Sequence, residues 1–301
     1  MTDLADLFPN FTHHWLELTA GRFFARMGGQ GPALLLLHGF PQSHVMWHKI
    51  APELARHFTV VMMDLRGYGA SCIPPSNGGD AYQKSHMAHD AIELMQKLGF
   101  SHFHCAGHDR GGRVAYRLAL DHADIITRCA VLDIIPTSEV WSGMNAARSL
   151  SMYHWMFLAQ PSPMPETLIG ADPIFYLEHT LASWTEARSL KAFDPTALAY
   201  YRASFHQPPR VHAMCEDYRA GAHYDRLHDE RDHNQTRKIT VPLLALWGDA
   251  GLPAQGASPR DLWQQWADDV SAASIHSGHF MAEENPRDTA RALIDFFSAS
   301  V

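Results

Sequence analysis

From residue 33 onward, short aliphatic runs alternate with longer segments of helical period, the order expected of an α/β fold built on a mainly parallel sheet. Residues 33–37, 59–63, 103–106, 129–132, 243–247 and 273–276 read as buried strands, and 12–18 with 23–27 as a leading hairpin around Gly21. Residues 48–57, 83–98, 112–121, 260–268 and 286–297 carry helical periodicity, with Pro286 suited to the first turn of the last helix. The alternation fails between Pro136 and Asn234, a stretch dense in Trp, Tyr, Met and Pro that offers helical pieces and no strand. It reads as an insertion. We therefore divide the chain into a core segment 1–136, a helical cap 137–234 lying over the carboxyl ends of the strands, and a second core segment 235–301.

The strongest local signal is Gly107-His108-Asp109-Arg110-Gly111-Gly112, which follows one strand and opens a helix. Glycines there permit a strained strand-to-helix turn that thrusts the central side chain, here aspartate, out at the head of the sheet. The plainer rival for the segment alone is a polar turn with Asp109 capping the helix. Two further motifs favour a nucleophile. His38-Gly39-Phe40-Pro41 follows the strand at 33–37, where the backbone N–H groups of Phe40 and Arg110 could face a developing oxyanion. Ser277-Gly278-His279-Phe280 follows the last strand, where a catalytic base belongs. Two acids at strand ends compete to orient His279, Asp133 and Asp249, and Asp133 is favoured.

An aspartate nucleophile narrows the chemistry. Displacement of a leaving group from saturated carbon gives an alkyl ester, which a second step hydrolyses. Asp109 is already ionised, so His279 would deprotonate the water that attacks the ester carbonyl. Alkyl halides and epoxides are the two evident substrate classes.

The net charge of −8 argues against nucleic acid or an anionic membrane as partner, so an anionic small molecule must be captured by local charge. No apolar run approaches the roughly 20 residues of a membrane span. The acidic first ten residues do not resemble a signal peptide, so a cytoplasmic location is expected. Cys72, Cys105, Cys129 and Cys215 lack metal or redox spacing and read as reduced. His104 and His108 share a four-residue spacing, but on a strand and its turn, where it does not pair side chains; no metal site is expected.

Over nearly its whole length the sequence resembles the fluoroacetate (haloacetate) dehalogenases, within the haloalkane dehalogenase and epoxide hydrolase branch of the α/β-hydrolases. Besides the motifs above, the likeness rests on Asp64-Leu65-Arg66-Gly67-Tyr68-Gly69, Val131-Leu132-Asp133-Ile134, Tyr153-His154-Trp155, Leu181-Ala182-Ser183-Trp184-Thr185 and Cys215-Glu216-Asp217-Tyr218-Arg219-Ala220-Gly221. It implies an α/β-hydrolase fold, with a mostly parallel eight-stranded sheet flanked by helices and an inserted helical cap. It also implies a cofactor-independent, homodimeric enzyme acting on a short haloacid. Asp109, His279 and Asp133 would form the catalytic triad, and Arg110 and Arg113 would hold the substrate carboxylate. His154, Trp155 and Tyr218 would bind the departing halide, with Trp184 as a pocket wall. Each role has a plainer rival: the aromatic run could be cap packing, and one arginine, more readily Arg113 inside the helix, could make a structural ion pair.

An epoxide hydrolase would share Asp109, His279 and the Phe40 loop but use cap tyrosines, Tyr153 or Tyr218, to protonate the ring oxygen. Two arginines beside the nucleophile disfavour it, because a neutral epoxide gains little from them. A neutral haloalkane would likewise leave their charge uncompensated. A non-catalytic binding protein of this fold would not need every catalytic position filled.

Overall fold

The computed structural model describes residues 6–251, 253 and 258–299. The outermost residues of the two core segments, and the first half of the acidic N-terminal stretch, lie outside that range. Eight strands form one sheet in the order β1-β2-β4-β3-β5-β6-β7-β8. They are β1 (Thr12–Leu18), β2 (Gly21–Gly28), β3 (Ala33–Leu37), β4 (Thr59–Met63), β5 (Phe103–His108), β6 (Ile126–Leu132), β7 (Leu243–Gly248) and β8 (Val270–Ile275). Only the β1/β2 and β2/β4 pairings are antiparallel; β4, β3, β5, β6, β7 and β8 are paired in parallel.

All five residues of β3 are buried, as a strand covered by helices on both faces must be. It lies between β4 on one side and β5 on the other, with Leu37 level with both Met63 and Gly107. The chain therefore leaves β3 in one direction for β4 and returns past it for β5, so the strand order reverses there. Open α/β sheets bind ligands beyond the carboxyl ends of the strands at such a point.

In the core, the helices are α1 (Ala51–Leu54), α2 (Lys84–Lys97) and α3 (Arg110–Asp121). Between β6 and β7 lie α4 (Thr137–Ser142), α5 (Ala146–Ser151), α6 (Tyr153–Leu158), α7 (Met164–Ala171), α8 (Pro173–Trp184), α9 (Pro195–Phe205), α10 (Pro208–Ala220) and α11 (Arg226–Asn234), with no strand among the described residues. The core closes with α12 (Pro259–Trp266), α13 (Met281–Glu284) and α14 (Pro286–Phe297). Pro286 does stand in the first turn of α14, where Asn285 caps the backbone N–H of Asp288.

The differences from expectation have local causes. The helix expected at 48–57 is a 3-10 turn, His44–Trp47, followed by the four-residue α1, because Pro52 lacks the N–H needed to continue a helix through it. Strand β8 starts at Val270 rather than Ala273, since five of its six residues are exposed or half-buried at the sheet edge and Ser271 and Ser274 interrupt any apolar run. Helix α3 is buried at every residue from Arg110 to Leu120, arginines included. It packs on β5 and β6 beneath and meets α2 on its flank.

Candidate active site

Asp109 sits between β5 and α3 with φ +48°, ψ −116°, a backbone strained for a residue with a side chain. The turn is sterically exacting. A Cβ on Gly107 would lie 2.2 Å from the Gly111 carbonyl oxygen, and one on Gly39 would lie 2.4 Å from the Asp109 Cβ. The backbone N–H of Phe40 donates to Asp109 Oδ1 at 2.9 Å. The second oxygen, Oδ2, faces His279 Nε2 at 3.9 Å, too far for a direct hydrogen bond. Arg110 opens α3, where backbone N–H groups have no intrahelical acceptor.

His279 donates from Nδ1 to Asp133 Oδ2 at 2.6 Å, which leaves Nε2 the nitrogen turned to Asp109. Asp133 is fixed in turn by the Gly248 N–H at 2.9 Å. Asp249 instead pairs with the exposed His276 at 3.1 Å and accepts from the Ser277 N–H. Burial opposes charge on Asp109, but His279, His108, Arg110 and Arg113 outweigh it and hold the carboxyl below the ordinary aspartate range. Burial also works against protonation of His279, yet the hydrogen bond and charge of Asp133 prevail and raise its pKa above the ordinary histidine value. His108, beneath His279, is pushed down to about 3 by burial and by its neighbour, and bonds the His279 carbonyl.

The two arginines beside the nucleophile have different fates. Arg110 is fully buried and grips Asp217 with Nε at 3.1 Å and Nη2 at 2.7 Å, while Lys84 bonds the same carboxylate and Tyr68 donates to it at 2.7 Å. Arg113 has no acidic partner among the described residues. Its Nη1 donates to the Ile135 carbonyl at 3.2 Å and to Thr137 Oγ1 at 3.0 Å, and its guanidinium lies 4.5 Å from the Trp155 ring centroid. This reverses the sequence expectation: the structural ion pair belongs to Arg110, because Asp217 of α10 is brought over the start of α3 by cap folding.

A cavity of about 670 Å³ opens beside Asp109. Asp109, Arg113, His154, Trp155, Trp184 and His279 are in its wall. Three buried polar atoms on residues of its wall, Arg113 Nε, His154 Nδ1 and His279 Nε2, have no partner within the protein, and neither do Arg110 Nη1 and Tyr218 Oη, whose residues stand outside the wall. Such orphans are rare in native interiors, and their convergence marks a site shaped for a polar ligand. Burial lowers the His154 pKa to about 3, so its ring is neutral, and burial raises that of Tyr218 well above the usual phenol range. The Tyr218 ring stands under the Arg110 guanidinium at 4.4 Å and edge-on to Phe40 and Trp155. Among the described residues, no group of three or more His, Cys, Asp or Glu side chains is placed to hold a metal ion.

The family model for the alpha/beta hydrolase fold matches residues 32–286. The chain belongs to that family. This α/β hydrolase is 44% identical over 97% of its length to a fluoroacetate dehalogenase of Burkholderia sp, of which it covers 95%. It is 31% identical over 95% of its length to a soluble epoxide hydrolase of Corynebacterium sp. (strain C12), covering 97% of that protein. A solved protein from Nostoc sp PCC 7120, described as an α/β hydrolase, superposes with a TM-score of 0.93 at 46% identity, over 97% of this chain and 99% of that one.

Sequence reasoning about this α/β hydrolase missed Asp217, Lys84, Tyr116, Thr137 and Asp229, all buried around the two arginines. A signal existed for Asp217, an acid inside the family-like segment around Tyr218. For Lys84, more than a hundred residues from its partner, there was none.

Proposed function

We propose that this α/β hydrolase removes halide from short 2-haloacids, converting fluoroacetate and water to glycolate and fluoride. The observation that carries the reading is Arg113, a buried guanidinium in the wall of the cavity that contains Asp109, with no acidic partner among the described residues. A substrate carboxylate supplies that partner, and a planar fork suits it. Arg110, already committed to Asp217, adds Nη1.

With the carboxylate so held, the α-carbon faces Asp109 Oδ2, the oxygen not bound by Phe40. Oδ2 forms the new C–O bond as the carbon–halogen pair leaves as halide. Fluoride is strongly hydrated, so its departure needs donors in place of water, and the unpartnered Nδ1 of His154 and hydroxyl of Tyr218, with the Trp155 indole, supply them. His279 Nε2 then takes a proton from water, the hydroxide adds to the Asp109 carboxyl carbon, and the oxyanion forms on Oδ1, where the Phe40 N–H already points. Donors from Phe40 and the Arg110 backbone stabilise that charge. Collapse breaks the acyl C–O bond, glycolate leaves with the proton from His279, and the Asp109 carboxyl gives up the remaining water proton to solvent, which restores the carboxylate.

The epoxide hydrolase reading has one observation in its favour: Tyr153 lines the cavity and the Tyr218 hydroxyl lacks a partner, so a tyrosine donor for a ring oxygen is at hand. It leaves Arg113 uncompensated beside a neutral ligand, a costly arrangement for a buried charge. Fluoride and chloride release from the haloacetates, set against opening of a styrene-type epoxide, decides between the two. Sustained fluoride release, absent in Asp109→Ala and strongly reduced in Arg113→Met, is the expected result. Epoxide opening with no halide release would overturn the proposal. Homodimeric assembly belongs to the same reading and rests on the family likeness alone.

A further inference from the structure

Arg113 does not reach the cavity unaided; a run of buried hydroxyls stands behind it. Its Nη1 donates to Thr137 Oγ1 at 3.0 Å, Thr137 Oγ1 lies 2.8 Å from Tyr116 Oη, and Tyr116 Oη donates to Asp229 Oδ2 at 2.8 Å. Direction follows from the proton count. Tyr116 has one hydroxyl hydrogen, given to Asp229, so the proton between the two hydroxyls must be that of Thr137. Every donor in the run Arg113, Thr137, Tyr116 points toward one carboxylate. The other oxygen of Asp229 accepts from Arg117 Nη2 at 3.1 Å, Asp232 also bonds Arg117 at 2.6 Å, and the Ser138 N–H donates to Asp229 Oδ2. Tyr116, Thr137, Asp229 and Arg117 are all at most 2% exposed.

The run ties three elements: α3, which starts at the nucleophile, and α4 and α11, the first and last helices of the cap. Thr137, Tyr116 and Asp229 themselves are not in the cavity wall. We propose that Thr137, Tyr116 and Asp229 are positioning residues that hold the Arg113 guanidinium in orientation for an anionic ligand, the oriented hydroxyls carrying the Asp229 charge to Nη1. A guanidinium has several rotamers, and its worth to a carboxylate depends on presenting the fork in one plane. With Nη1 bound to the hydroxyl run, Nε is left without a partner. The inference rests on the reading that Arg113 receives the substrate carboxylate.

The test compares the parent with Thr137→Val, Thr137→Ser and Tyr116→Phe. For each, haloacetate turnover gives kcat and KM, calorimetric titration with acetate gives a binding constant independent of turnover, and thermal melting reports folding. We expect Thr137→Val and Tyr116→Phe to raise KM and weaken acetate binding by ~10-fold, the usual worth of a hydrogen bond to a charged group, with a much smaller change in kcat. Thr137→Ser restores both because it keeps the hydroxyl. Unchanged acetate binding in Thr137→Val, or a loss that tracks a lowered melting temperature and is not rescued by serine, overturns the inference, as does a parent that binds no acetate. A parent that binds acetate in a Thr137-dependent way yet releases no halide supports the inference and sinks the dehalogenase reading instead.

Discussion

Replacing the two arginines beside the nucleophile, one at a time, separates holding the fold from holding the substrate. Arg110→Met removes a guanidinium that makes two bonds to the Asp217 carboxylate and one to its main-chain carbonyl, and leaves that carboxylate to Lys84 and Tyr68. Breaking a buried pair costs about 3–5 kcal/mol, and the surviving lysine places this case at the lower end. At about 2–4 °C per kcal/mol for a chain this long, the melting temperature falls on the order of 10 °C. Arg113→Met removes a buried cation that no carboxylate offsets, so desolvation relief balances its two lost bonds to Ile135 and Thr137, and melting shifts only a few degrees. Its cost is functional. Two charge-assisted bonds at about 1.5–3 kcal/mol each imply a fall in kcat/KM of roughly 100-fold or more, mostly in KM. Differential scanning fluorimetry and an ion-selective fluoride electrode read the two effects on the same preparations. The reasoning is refuted if Arg113→Met melts early while Arg110→Met keeps its stability and loses only catalysis.

His279→Gln blocks ester hydrolysis but not displacement, so it gives a single equivalent of fluoride per chain and a carboxymethyl adduct on the Asp109 peptide by mass spectrometry; sustained turnover would sink the two-step scheme. The parent loses kcat as pH falls, because the base that activates water for ester hydrolysis must be neutral, and the raised His279 pKa places that limb above the ordinary histidine value. Asp133→Asn removes the chief raising cause, so the limb moves to lower pH as the maximal rate drops; an unmoved limb contradicts the assignment. Glu283, buried beside Gln42 and Tyr201, has its pKa raised by burial to about 8. The folded state therefore favours its protonated form, and stability is lost as pH rises from the unfolded value through about 8. Glu283→Gln should melt like the parent at pH ~4 and higher than the parent at pH ~8, and equal melting at both would count against it.

How much of this could be read in the chain depends on whether a signal was local. Strands β1, β3 and β4 follow their aliphatic or alternating runs to the residue, and the elbow declares itself because its glycines are demanded by contacts within a few residues or across adjacent strands. The edge strand β8 was misplaced because exposure removes the apolar pattern that marks a strand. The choice between Asp133 and Asp249 was open because each follows a neighbouring parallel strand, and only the turn geometry decides which reaches His279. The arginines were harder still. Proximity along α3 says nothing of which guanidinium meets an acid carried in from the far end of the cap.

That long-range pairing also resolves how an acidic chain can hold an anion. Lys84 and Arg110 are matched by Asp217 and Asp225, with Lys84 lying 3.4 Å from Asp225, so this buried set sums to no net charge. Asp133 is matched by His279 whenever that ring is protonated. Arg113 is then the surplus, set against the ionised Asp109 that shares its cavity. Under the proposed reading an incoming carboxylate would bind at Arg113 and not at the nucleophile, which repels it. The same charge pattern would orient the ligand, its anionic end turned to Arg113 and its halogen-bearing carbon toward Asp109. A neutral ligand gains neither the attraction nor the orientation, and must also leave Arg113 desolvated without a partner. A buried guanidinium that no carboxylate binds, standing beside the nucleophile in the same cavity, thus favours the haloacid over the epoxide more strongly than any residue the two activities share.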